Sequence, residues 1–213
     1  MSRRTILKML FGAAIISIAP ACRAGGRVQS GVARADLYPC EGCEAVHERN
    51  TADLDWRSAV ARPQEPGERL VLSGVVYETD GRTPASGVVI YAHHTNVDGL
   101  YANGSSETEW SRRHGRLRGW VRTGADGRYA FDTIKPGIYP DRTEPAHIHL
   151  FVLEPGRPPY YIDDVVFEGE FGVTPAYRAR QSLRGGDGVI VLGRRNDGTW
   201  LAQRNIVLEL HPN

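Results

Sequence analysis

The sequence predicts an all-β fold, an antiparallel β-sandwich with long loops and an irregular N-terminal arm. From Arg69 onward, seven or more short β-branched and apolar runs follow one another. Regular turn signals such as Asp80-Gly81, Asp126-Gly127 and Asn196-Asp197-Gly198 separate them. The length of 213 residues and the average apolar, aromatic and charged fractions suit one globular domain with ample core. No internal repeat or low-complexity tract interrupts it.

Residues 1–22 read as a targeting signal and not as part of the fold. Ser2-Arg3-Arg4-Thr5-Ile6-Leu7-Lys8 is a twin-arginine pattern, and the apolar run from Met9 to Ala19 is too short for a comfortable membrane span. Ala19-Pro20-Ala21 before Cys22 fits a small-residue cleavage site. It also resembles a bacterial lipobox, which would leave Cys22 as a lipid anchor; a retained anchor helix is the remaining reading. The expectation is export by the twin-arginine route, to the periplasm or the outer side of the cytoplasmic membrane. That route carries folded proteins, often with a cofactor already inserted. The formal net charge of +1 counts Arg3, Arg4 and Lys8, and without residues 1–21 it becomes −2. No nucleic-acid or anionic-lipid surface is implied.

Residues 23–69 are polar, lack sustained periodicity and form the expected arm, with a short helix around Glu44–Asn50. Cys40 and Cys43 lie three apart within it. In an oxidising compartment such a pair is most simply a disulfide pinning a turn, with half a zinc site or a redox pair as alternatives. The domain then spans 70–213. Its strands are expected at Leu70–Tyr77, Gly87–His93, Leu117–Thr123, Arg128–Phe131 and His147–Leu153. Val189–Leu192 and Ile206–Leu210 are expected to form a late pair. Thr174-Pro175 signals a short helix running towards Leu183. The insertion from Thr95 to Arg116 is long and polar, the kind of loop on which sites are built.

The chemistry gathers in Pro136-Gly137-Ile138-Tyr139-Pro140 and in Pro145-Ala146-His147-Ile148-His149, which leads into Leu150-Phe151-Val152-Leu153. Strand side chains alternate with period two, so His147 and His149 point the same way and can offer two imidazole lone pairs to one metal ion. Tyr139 adds a hard, anionic oxygen if it ionises, which favours a hard ion such as ferric iron over zinc. A half-buried strand with two polar residues and a surface tyrosine is the bland alternative.

These segments occur in a familiar order. Ser73-Gly74-Val75-Val76, Gly87-Val88-Val89-Ile90-Tyr91, Asp98-Gly99-Leu100-Tyr101 and Leu117-Arg118-Gly119 come first. Gly127 to Pro140, Pro145 to His149 and Phe167-Glu168-Gly169 follow. Over about residues 70–170 the pattern resembles the intradiol ring-cleavage dioxygenases, the family of catechol and protocatechuate 3,4-dioxygenases. The resemblance implies a non-haem Fe(III) ion held by Tyr101, Tyr139, His147 and His149. It also implies a small-molecule catecholic substrate and O2, with Tyr139 leaving the metal when substrate binds and a muconate-type diacid as product.

One position departs from the pattern. The family keeps an arginine three residues before the first ligand histidine, where it stabilises negative charge on the substrate. This chain has Glu144 there, with Arg142 two residues earlier. Arg142 and Glu144 therefore join Tyr139 as candidate catalytic residues. The chain more resembles an exported, intradiol-like branch than the usual cytoplasmic members.

Two rivals share parts of the pattern. Transthyretin-like binding modules share the Gly-Val-Val and Asp-Gly-Arg-Tyr segments but lack the His-x-His and the paired tyrosines. A cupin-type site is suggested by His147, His149 and Glu154, without the glycines cupins require. His93 and His94 end a strand, so one must face core or cleft; His47, His114 and His211 read as surface or loop residues. Arg112, Arg113, Arg116 and Arg118 form a local basic cluster, either solvated or attracting an anion.

Overall fold

The computed structural model describes residues 33–105 and 107–212. The twin-arginine stretch and Cys22 lie outside them. The strands are β1 (Arg57–Ala59), β2 (Arg69–Tyr77), β3 (Val89–His94), β4 (Arg118–Arg122), β5 (Arg128–Ile134), β6 (His147–Leu153), β7 (Tyr160–Phe167), β8 (Val189–Ile190), β9 (Gly193–Arg194), β10 (Trp200–Gln203) and β11 (Ile206–Val207). Two short helices interrupt them, α1 (Glu109–His114) and α2 (Pro175–Arg180). One sheet runs β1-β5-β2-β10-β9 with β11 also on β2; the other runs β4-β3-β6-β7-β8.

Alternating side chains close the sandwich. Ile90 and Ala92 of β3, Ile148, Leu150 and Val152 of β6, and Val121 of β4 face Leu70 and Leu72 of β2 and Tyr129 and Phe131 of β5 in one buried core. His94 belongs to this inner face as well. Its Nε2 lies 2.6 Å from Thr133 Oγ1 on the opposite sheet, and its Nδ1 lies 2.7 Å from the Thr95 carbonyl. The carbonyl can only accept, so Nδ1 carries the proton and Nε2 accepts from the hydroxyl. His94 is a neutral tie between the sheets.

The other face of the second sheet is covered by the arm. A 3₁₀ helix at Cys43–Glu48 buries Cys43, Ala45 and Val46 against Val89, Tyr91, Trp120 and Phe151. Cys40 and Cys43 are disulfide-bonded, with Cα atoms 5.7 Å apart. Trp120 Nε1 donates to the Val46 carbonyl at 3.1 Å. The helix expected at Glu44–Asn50 is thus a 3₁₀ helix that starts one residue earlier and ends at Glu48.

Three expectations are corrected. The sandwich is mixed and not purely antiparallel, because β1–β5, β10–β2, β11–β2 and β7–β8 are parallel pairs. The late runs do not pair with each other: β8 joins β7 in one sheet and β11 joins β2 in the other. β7, which the sequence reading did not assign, is an eight-residue strand of the second sheet. The helix after Thr174 does form, capped by the Thr174 hydroxyl accepting from Tyr177 N, but ends at Arg180.

Burial holds His94 neutral, lowering its pKa from 6.5 to about 4. The unfolded chain therefore binds this proton first as pH falls. The stability contributed by neutral His94 is complete above pH 6.5 and drains away towards pH 4, by up to about 3 kcal/mol. Urea unfolding of His94→Gln should show a correspondingly flatter pH dependence across that window; an identical slope would contradict the assignment.

Candidate metal centre

The outer face of the second sheet carries the arm at one end and a cluster of rings at the other. His147 and His149, both on the outer face of β6, bring their Nε2 atoms to 3.0 Å of each other. The proton positions follow from their partners. His147 Nδ1 lies 2.7 Å from the Pro145 carbonyl oxygen, an obligate acceptor, so the proton sits on Nδ1. His149 Nδ1 lies 2.9 Å from Asp164 Oδ1. Burial raises the Asp164 pKa, but the charge and hydrogen bond of His149 more than offset this, and the carboxyl is held below its ordinary range. It accepts from Nδ1–H. Both Nε2 lone pairs are thereby aimed at one point.

Asp164 reaches His149 through a defect in the sheet. The β6–β7 register pairs Ile148 with Val165 but Leu150 with Ile162, so Asp163 and Asp164 together lie opposite His149. This bulge turns Asp164 onto the imidazole, while Asp163 accepts from Ser182 Oγ and Leu183 N. Sequence reasoning missed Asp164. The available signal was an adjacent acidic pair inside the apolar run Tyr160–Phe167.

The tyrosines come from two loops that interlock. Gly137 N donates to Asn96 O at 2.9 Å, Thr95 Oγ1 donates to Gly137 O at 2.9 Å, and the Asn96 side chain accepts from Leu100 N at 2.9 Å. Gly99 adopts φ +76 and touches the other loop so closely that a Cβ would overlap the Ile138 carbonyl oxygen. This contact brings Tyr101 Oη to 2.6 Å from Tyr139 Oη and 2.9 Å from His149 Nε2, with Tyr139 Oη 3.2 Å from His147 Nε2. Four donor atoms from β6 and two loops converge. Separations of this size suit ligands about 2 Å from a common ion.

The electrostatics leave the phenols protonated without a cation. Burial raises the Tyr101 pKa, and its contact with Tyr139 raises it further. Burial also raises that of Tyr139, aided by the charges of Asp164, Glu144 and Asp141 and opposed by the Tyr101 hydrogen bond. His147 is lowered by burial; His149, lowered by burial too, ends raised because Asp164 outweighs it. Two oxygens that ionise only beside strong positive charge, with two imidazole nitrogens whose partner Nδ1 atoms are engaged elsewhere, fit a hard, highly charged metal ion. His147, His149 and Asp164 also form a three-residue group with ligand atoms within 4.8 Å, but the His149 contact already engages Asp164.

A cleft of ≈ 560 Å³ opens beside Tyr101, Tyr139 and His149, walled by Leu150, Phe151, Tyr161 and His93 and by Glu41, Arg113 and His114. His114 is not the loop residue expected. It is buried, donates to or accepts from Tyr91 Oη at 2.9 Å, and stacks on His93 at 3.9 Å. Arg142 and Glu144 are not among the lining residues; the Arg142 guanidinium lies 4.2 Å over the Phe171 ring. The basic cluster is largely matched by carboxylates: Arg113 pairs with Glu41, Arg116 with Glu65 and Arg118 with Glu48.

A family model described as Dioxygenase matches residues 44–183, about two thirds of the chain. Catechol 1,2-dioxygenase 2 of Acinetobacter lwoffii is 31% identical over 141 residues, covering 54% of this chain and 50% of that one. This chain belongs to the intradiol ring-cleavage dioxygenase family. Hydroxyquinol 1,2-dioxygenase of Rhizobium sp. (strain MTP-10005) is 28% identical over 170 residues, 67% of this chain and 55% of its own length. The intradiol dioxygenase-like chain thus spans about half the length of these curated relatives. Its fold is shared with the dioxygenase domain of a dioxygenase carbohydrate-binding protein fusion from Streptomyces sp. SirexAA-E. That match has 27% identity and a TM-score of 0.54 over 74% of this chain and 90% of that one. An intradiol ring-cleavage dioxygenase from Tetranychus urticae shares the fold at 18% identity and a TM-score of 0.54, over 76% and 91% of the two chains.

The interlocked loops yield a direct expectation. Gly99→Ala should force them apart and weaken metal binding about 10–100-fold, as loss of a supporting contact does. Competition against a chelator measures this; wild-type affinity in the variant would contradict the geometry.

Proposed function

We propose that this chain is a non-haem, Fe(III)-dependent dioxygenase that inserts O2 into a catecholic ring with intradiol cleavage, giving a muconate-type diacid. The observation that carries the reading is the convergence of Tyr101 Oη, Tyr139 Oη, His147 Nε2 and His149 Nε2, with both imidazole protons turned away onto Nδ1. These four residues would hold the ion. When bound, ferric iron supplies charge that keeps phenolates ionised and orients a chelating catechol.

The protein's own residues do the rest. Tyr139 faces the cleft, and the nearby charges of Asp164, Glu144 and Asp141 favour its neutral form. Its Oη is therefore suited to take up a proton that a catechol hydroxyl gives up on binding. Phe151 and Tyr161 give the aromatic ring an apolar wall. Asp164 and the Pro145 carbonyl keep His149 and His147 in the tautomers that face the metal. A binding-only sandwich has no use for two phenols and two imidazoles directed at one point.

Glu144 does not line the cleft, but its charge reaches Tyr139 and so opposes further negative charge there, and Arg142, resting on Phe171, does not replace the family's arginine within the cleft. A missing charge-stabilising group costs about 10²–10³ in rate. Export by the twin-arginine route belongs to the same proposal, supported by Arg3-Arg4, the apolar run after them, and the Cys40–Cys43 disulfide.

Oxygen uptake with catechol, together with product analysis, tests the reaction. The expected result is consumption of one O2 per ring with a ring-opened diacid as product, and a kcat at least about ten-fold higher in Glu144→Arg. Iron-loaded protein that consumes no oxygen with any catechol, in either form, would sink the proposed activity.

A further inference from the structure

We propose that Glu41 and Arg113 together set which ring substituents the cleft admits, favouring catechols without an anionic group over those carrying a carboxylate. This rests on the function proposed above. Glu41 lies in the loop closed by the Cys40–Cys43 disulfide, Arg113 lies on α1, and the two form an ion pair on the wall of the cleft that holds Tyr101, Tyr139 and His149. The arm thereby contributes a charged residue to the same space as the metal centre.

The loop that carries Glu41 is held in place from several sides. Cys43 is buried with Tyr91, Trp120 and Phe151. Gly42, at φ +85, packs so closely that a Cβ would come 2.9 Å from His114 Nε2. His114 stacks on His93 with ring planes 4° apart, and His93 lies 4.5 Å from the His149 ring. The Arg113 guanidinium rests 5.0 Å over the Trp110 ring. The pair is therefore presented on a packed scaffold that runs from the disulfide to a proposed metal ligand.

Charge accounting gives the selectivity. Among the described residues lining the cleft, the formal charges are Glu41, Asp164 and Arg113. Arg113 is matched by Glu41, and Asp164 faces His149 Nδ1. Arg116 and Arg118 are engaged by Glu65 and Glu48. A substrate carboxylate would have to separate Glu41 from Arg113 and would enter beside Asp164. An uncharged catechol meets neither obstacle. Glu41 is 82% exposed at its side chain, so the ion pair contributes little to folding, and its substitution tests selectivity without threatening the fold.

The test uses the iron-loaded full chain and two probes, catechol and 3,4-dihydroxybenzoate. Binding is measured anaerobically by calorimetry and turnover as kcat/KM. Wild type should prefer catechol. Glu41→Gln, which frees Arg113, should shift the ratio of both constants towards 3,4-dihydroxybenzoate by about two- to five-fold, the range an exposed ion pair supplies, while Arg113→Gln should shift it the other way. Wild-type binding of both probes with a ratio unchanged in Glu41→Gln would overturn this proposal alone. Failure of wild type to bind either probe would overturn the proposed function, and this selectivity with it.

Discussion

The centre depends on where two imidazole protons sit. The Pro145 carbonyl holds one on His147 Nδ1 and the Asp164 carboxylate holds the other on His149 Nδ1. With those protons turned outward, two nitrogen lone pairs face each other across 3.0 Å. That arrangement is repulsive unless a phenolic proton or a cation lies between them. Tyr101 Oη and Tyr139 Oη lie 2.9 and 3.2 Å from His149 Nε2 and His147 Nε2, each within reach of one lone pair, and the proposed cation would sit among the same four atoms. The bulge in β7, the outward face of β6 and the interlocked loops at Gly99 and Gly137 all serve this one convergence.

Much of the centre was legible because its parts follow local rules. The period of a strand places His147 and His149 on one face, and both lie there. The Pro-Gly turn before Tyr139 marks a loop entering that strand. Tyr101 was legible only through the order of motifs, since its approach to Tyr139 depends on backbone contact between loops far apart in sequence. Asp164 was marked only by the adjacent acidic pair Asp163-Asp164 within an apolar run; its role arises from an extra residue in β7 opposite His149, and the sequence does not fix where such a bulge falls. The strand positions were largely readable, whereas the parallel pairings were not, because partners such as β10 and β2 are set by the sandwich and not by an intervening turn.

The arm changes the picture most. Its pinned turn forms as expected, and beyond that it buries its 3₁₀ helix on the outer face of the second sheet and carries Glu41 to the cleft. His114, which looked like a loop residue, is the piece between that turn and His93. The disulfide thus stabilises a wall of the cleft as well as a turn. Burial keeps His93 and His114 neutral, so this wall adds aromatic surface without adding positive charge.

The most direct test of the account is the metal itself. The purified chain, produced with iron available, should carry about one iron per molecule and show tyrosinate-to-iron charge-transfer colour, which Tyr101→Phe should weaken or shift. A colourless, iron-free protein, or colour that persists unchanged without Tyr101, would contradict it.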